Sequence, residues 1–127
     1  MNWFVRLFRG PAGAAAAKVR WVVVDCESSG LDPHADRLLS IGAVAVCGGR
    51  IAIDDSFSVV LRQDTPSGAR NIEIHGISGT EQLEGDDGHE VLRRFADYAA
   101  EDVLVAFHAP FDRTLLTRAA PDFDTSE

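Results

Sequence analysis

The run Trp21-Val22-Val23-Val24-Asp25-Cys26-Glu27 constrains this chain more than any other. A tryptophan and three successive valines predict a strand buried on both faces. Two acids one residue apart end it. Side chains alternate between the faces of a strand, so Asp25 and Glu27 point one way and Cys26 the other. Paired carboxylates at the end of an apolar strand repel each other and resist desolvation. A cation between them relieves both, and hard divalent ions such as Mg2+ or Mn2+ take oxygen ligands of this kind. In isolation the same acids also fit the start of a solvated loop, with Ser28, Ser29 and Gly30 as turn formers.

The 127 residues, 46% of them hydrophobic, fit one domain at most and exclude a disordered chain. Net charge is −8, unevenly spread. Arg6, Arg9, Lys18 and Arg20 precede the first acid, leaving 8 basic residues against 20 acids in the remainder. Such a body does not adhere to nucleic acid through a basic surface, although it can grip phosphate through bound metal. Two cysteines without a C-x-x-C pair exclude a disulfide scaffold and the usual zinc motifs, and predict reduced thiols in a cytoplasmic protein.

Near the start, Trp3, Phe4, Val5, Leu7 and Phe8 are apolar, but Arg6 and Arg9 interrupt them, so neither a signal-peptide core nor a membrane span is expected. Gly10-Pro11-Ala12-Gly13 and the alanines after it read as a linker. Residues 1–19 are therefore expected to be a flexible leader and residues 20–127 the domain.

Regular elements then follow. Strands are expected at about Arg20–Asp25, over Leu38–Val46, and from Ile51 to Leu61, with Gly48-Gly49 turning the hairpin between the last two. A polar loop with Pro66 and Gly68 comes next. Val91, Leu92, Phe95 and Ala99 mark one face of a helix. Val103–Phe107 is a fourth strand, and Pro110 opens a last helix that stops before Pro121. The order β-β-β-α-β-α gives an α/β fold with a mixed sheet in which the first and fourth strands are parallel. Asp112 then faces Asp25 and Glu27 across one crevice at the carboxyl ends of the strands. An acid in a first helical turn is also favoured by the helix dipole alone.

Val24-Asp25-Cys26-Glu27-Ser28-Ser29-Gly30-Leu31-Asp32 resembles the first motif of the DnaQ-like 3′–5′ exonucleases, a group that includes RNase T and the proofreading subunit of DNA polymerase III. Asp36–Val44 resembles their second strand. Ile74-His75-Gly76-Ile77-Ser78 is similar to their His-Gly-Ile segment, and Val105–Asp112 to their second motif. Ser28-Ser29 in place of Thr-Thr and Ala109 in place of Asn are mild departures. The third motif, a His followed five positions later by an Asp, has no counterpart in Pro121–Glu127, and His108 belongs to the second motif. The chain is thus expected to be the front portion of such an exonuclease, without its last strand and helix.

The resemblance implies a ribonuclease H-like fold and two-metal phosphodiester hydrolysis at DNA or RNA 3′ ends. It assigns Asp25, Glu27 and Asp112 to two Mg2+ or Mn2+ ions, and Ser28, Ser29, Leu31 and His75 to the terminal nucleotide. His34 and His89 are expected at the surface, and Glu84, Asp86, Asp87 and Glu90 at a solvated helix start. An exposed edge on the fourth strand is expected to drive self-association. Two other classes compete. One is a non-catalytic remnant that binds without turnover. The other is an aspartyl-nucleophile phosphatase, which wants Asp-x-Asp where this chain has Asp25-x-Glu27.

Overall fold

The computed structural model describes residues 19–120, so residues 1–18 of the expected leader and the Pro121–Glu127 segment lie outside the described residues. Strand β1 (Arg20–Ser28) is followed by β2 (Leu38–Cys47) and β3 (Arg50–Val60). Helices α1 (Ala69–His75), α2 (Gly79–Leu83) and α3 (Gly88–Ala99) come next, then β4 (Val103–Val105) and α4 (Ala109–Ala119). The strands form one mixed sheet in the order β3-β2-β1-β4. Strand β1 pairs antiparallel with β2 and parallel with β4, the latter in the register Trp21↔Val103 to Val23↔Val105. Gly48 and Gly49 turn the β2–β3 hairpin at φ +56° and +78°, where a Cβ is strained.

One face of the sheet is closed. Val22, Val24 and Cys26 of β1 join Ile41 and Leu104 in a core capped by Val91, Leu92 and Phe95 of α3 and Leu115 and Leu116 of α4. Phe95 meets Phe57 edge-on, with centroids 5.5 Å apart. On the other face Val23 is 38% exposed. Burial of β1 on both faces, as its valines suggested, is therefore not found among the described residues. A triple valine reports strand preference and says nothing about how many layers cover it.

Two more departures follow from local physics. The expected polar loop contains α1 and α2. Helix α1 buries none of its residues, so it has no apolar stripe to read. It ends on Gly76 in the left-handed conformation, and α2 opens with a capping box between Ser78 and Glu81. Strand β4 stops at Val105, two residues early, and Phe107 is fully exposed.

The amino end of β1 is held by charge. Arg20 Nε and Nη2 donate to the two carboxylate oxygens of Asp55 at 2.7 and 2.9 Å, and Nη1 donates to Asp102 at 2.8 Å. The guanidinium lies 4.7 Å from the centroid of the Tyr98 ring, whose hydroxyl donates to the Asp55 carbonyl. Hydrogen bonding from Arg20 holds the Asp55 carboxyl below its usual range.

Candidate active site

At the carboxyl end of β1 the alternation places Asp25 and Glu27 away from the core, with Cys26 buried between them. Strand β4 has already left the sheet opposite Val23, and a side chain takes over its role. Asp112 Oδ1 accepts the Cys26 backbone N–H at 2.9 Å. Asp112 stands in the first turn of α4, which Pro110 opens, and it is only 6% exposed. That bond sets Asp112 against the backbone of the residue between Asp25 and Glu27.

The Asp25 charge acts on both Glu27 and Asp112. Burial pushes the Glu27 carboxyl up, and the charges of Asp25 and Asp112 push it further. Burial also raises Asp112, opposed by its hydrogen bonds from Cys26 and reinforced by Asp25. The buried Cys26 thiol is pushed well up, mainly by desolvation and then by Asp112, which leaves it un-ionised and unreactive. Among the described residues no three His, Cys, Asp or Glu side chains form a ready-made metal cluster. The donor set itself suits a hard divalent cation: three carboxylates at one strand end, charge-frustrated, with no basic partner among the described residues.

Beside the acids lies a pocket of about 310 Å³. Cys26–Leu31 form one wall, Asn71, Ile74 and His75 of α1 another, and Phe111 of α4 the third. Glu27, Ser28, Ser29, Leu31 and His75 thus share one cavity, whereas Asp25 and Asp112 stand outside its lining. Leu31 is 90% and Ile74 79% exposed, giving the mouth two apolar lips.

The loop that carries Ser29, Gly30 and Leu31 is built around Asp36. Ser29 Oγ donates to Asp36 Oδ1 at 3.0 Å, and the Asp32 N–H donates to Oδ2 at 2.9 Å. A Cβ on Gly30 would come within 2.7 Å of the Asp36 carboxyl carbon, so a larger residue there would displace the carboxylate that holds the loop. Arg118 of α4 ties the loop down by donating to the Pro33 and Asp36 carbonyls at 2.7 and 2.9 Å. The Ser29 hydroxyl, which also accepts from the Arg37 N–H, serves the loop itself.

His75, expected from sequence in a loop, ends α1. Its Nδ1 accepts the Ile77 N–H at 2.9 Å, and its Nε2 lies 2.6 Å from Asn71 Oδ1. Both ring nitrogens are therefore engaged within the chain. His34 and His89 are exposed, as expected, and Asp87 caps α3 by accepting from the Glu90 N–H. Sequence reasoning passed over Asn71, Ile74 and Phe111 as lining residues. Asn71 was detectable only through its four-residue spacing from His75, which means nothing until α1 is known to be a helix.

Comparison with known proteins supplies the family. Residues 22–123 match the RNase_T family, described as exonuclease. A DNA polymerase III subunit epsilon-like protein of Rhodobacter capsulatus is 35% identical over 120 residues, which is 91% of this chain and 17% of that protein. The PolC-type DNA polymerase III of Thermotoga maritima is 35% identical over 97 residues, 76% of this chain and 7% of that protein. This chain thus spans a small part of the curated relatives it matches. Among solved structures, exonuclease I in its apo form superposes with a TM-score of 0.72 at 14% identity, over 82% of this chain and 25% of that one. E. coli exonuclease I in complex with a dT13 oligonucleotide gives 0.70 at 15% identity, over 82% of this chain and 24% of that one. At such identity the likeness shows the fold, the ribonuclease H-like mixed sheet expected from sequence. The family match covers most of the sequence, and the chain belongs to the RNase_T exonuclease family.

Proposed function

We propose that this chain carries the catalytic carboxylates and terminal-nucleotide pocket of a metal-dependent 3′–5′ exonuclease that acts on single-stranded DNA or RNA. The observation that carries the reading is the convergence of Asp25, Glu27 and Asp112 from two distant segments at one end of β1, beside an open pocket. These three residues would hold the divalent ions, Mg2+ or Mn2+. Bound there, such ions supply an activated water and charge stabilisation for the leaving 3′ oxygen. Glu27 reaches both the acid cluster and the pocket, so it joins the reacting centre to the bound nucleotide. Leu31 and Ile74 offer apolar lips to the terminal base, and Ser28, Ser29 and His75 shape the walls that seat it. No helix among the described residues is long and apolar enough to cross a membrane, and the reading places the protein in the cytoplasm, in proofreading or repair. The outer edge of β4 has no strand partner among the described residues and is the proposed surface for self-association, which sedimentation over a concentration series reads directly.

One observation favours a second reading, a module that binds 3′ ends without turnover: of the three acids only Glu27 lines the pocket, and Asp25 and Asp112 stand outside it. A 5′-labelled single strand incubated with Mn2+ separates the readings. Stepwise shortening from the 3′ end that disappears in Asp25→Ala supports the exonuclease. Metal-dependent binding without shortening supports the binding module. A strand that is neither shortened nor bound removes the nucleic-acid role from this site.

A further inference from the structure

We infer that Asn71 is a positioning residue of this site: its side-chain amide latches the α1 wall of the pocket to the last carbonyl of β1. The inference rests on the reading of that pocket as the seat of the terminal nucleotide. Helix α1 needs such a latch because it buries no residue of its own, so apolar packing does not fix where Ile74 and His75 stand. Polar contacts do it instead. Because His75 Nδ1 accepts the Ile77 N–H, the proton of the neutral ring is on Nε2. That proton points at Asn71 Oδ1, 2.6 Å away, which sets the amide's orientation without ambiguity. The other half of the amide, Nδ2, donates to the Ser28 carbonyl at 3.0 Å. Ser28 lies where the β1–β2 register shifts, next to Glu27.

The far end of the relay is anchored in the interior. Ser67 Oγ lies 3.2 Å from His75 Nε2 and accepts from Gln82 Nε2 at 3.1 Å. Gln82 is fully buried, and it also takes the Ser67 N–H and donates to the Ile77 carbonyl. Gln82 thus holds the Ile77 carbonyl, the Ile77 N–H holds His75 Nδ1, and from Nε2 the bonds run through Asn71 to the strand end that bears Glu27. Asn71 touches none of the three carboxylates, so its loss should loosen the seat and leave the acids in place.

The test pairs two readouts on the whole chain. Histidine 15N spectra report the His75 tautomer, with His75→Gln used to assign its signals. Anisotropy of a 5′-fluorescein-labelled dT8 strand, with Ca2+ present, reports binding. Asn71→Leu should move His75 from a fixed Nε2–H tautomer toward an averaged one and weaken dT8 binding roughly tenfold, the scale of one lost hydrogen bond. Asn71→Asp keeps an acceptor for His75 but sets a carboxylate against the Ser28 carbonyl, so it should retain the tautomer and still weaken binding. It also keeps the test open if the leucine variant does not fold. Unchanged His75 spectra in Asn71→Leu, or wild-type dT8 binding in Asn71→Asp, overturns the latch. If the unmutated chain does not bind dT8, the nucleotide-seat reading fails by itself. The tautomer arm then still decides whether Asn71 holds α1.

Discussion

At its amino end β1 presents Arg20 to Asp55 and Asp102, and at its carboxyl end, where Asp25 and Glu27 stand, the Cys26 N–H donates to Asp112. Each end gathers carboxylates around one strand terminus, and only the first supplies a cation. There the acid is held below its usual range by a guanidinium; at the other end burial and like charge push Glu27 and Asp112 above it. The first arrangement is complete within the chain. The second stores repulsion that a bound divalent ion would release, as in sites where stability is given up for function.

The sharpest way to break the contrast is Asp112→Asn. The amide keeps an oxygen for the Cys26 N–H and removes one of three like charges. Nuclease turnover should fall on the order of 10³-fold, the scale of losing one preorganised electrostatic contact. The fold should meanwhile gain on the order of 1 kcal/mol at neutral pH, a rise of about 4–8 °C in midpoint. Loss of both activity and stability would mean that the carboxylate charge is structural. Arg20→Met tests the opposite end. The Arg20 side chain is 21% exposed and its partners more so, so solvent screening limits the cost to roughly 1–2 kcal/mol. Thermal or urea unfolding reads it, and an unchanged midpoint would show that the clamp is ornamental.

The smallest effect is in pH. In the unfolded chain Glu27 and Asp112 lose their protons at ordinary carboxylate values, near pH 4. In the folded chain they keep them to higher pH. Across that interval the folded state binds more protons, so these two groups lower stability as pH rises and level off once both states are ionised. Asp55 acts in the reverse sense, contributing stability that is present above the usual carboxylate range and lost as pH falls through its depressed value. The difference in stability between wild type and Asp112→Asn should therefore be absent in strong acid and grow to its full size toward neutrality. Millimolar Mn2+ should narrow it by raising the wild-type midpoint. A difference that is flat with pH would detach Asp112 from the charge argument.

How legible all this was in the sequence depends on where each signal resides. Val91, Leu92, Phe95 and Ala99 recur at helical spacing, so α3 could be read directly, and the valines of β1 marked a strand without marking which of them face the core. Helix α1 could not, because none of its side chains is buried and periodicity reports only burial. The three acids were readable as residues near a crevice. Their coupling depends on Asp112 reaching Cys26 across 86 positions, a contact that local patterns cannot encode. His75 was legible only as a loop residue; its place at the end of α1 and the engagement of both its nitrogens required the fold, with Asn71 and Ile77 in place.

The exchange of a strand carbonyl for a carboxylate at Cys26 gives the molecule a built-in gauge. An amide bonded to a neighbouring strand exchanges its proton when the sheet opens, a rare event in a domain interior. The Cys26 amide is bonded to a side chain on α4 instead, so it is released whenever Asp112 swings away. Deuterium uptake at that one position therefore measures how long α4 keeps its acid docked against β1. Its neighbours Val22 and Val24, which lie within the paired region, supply the reference clock.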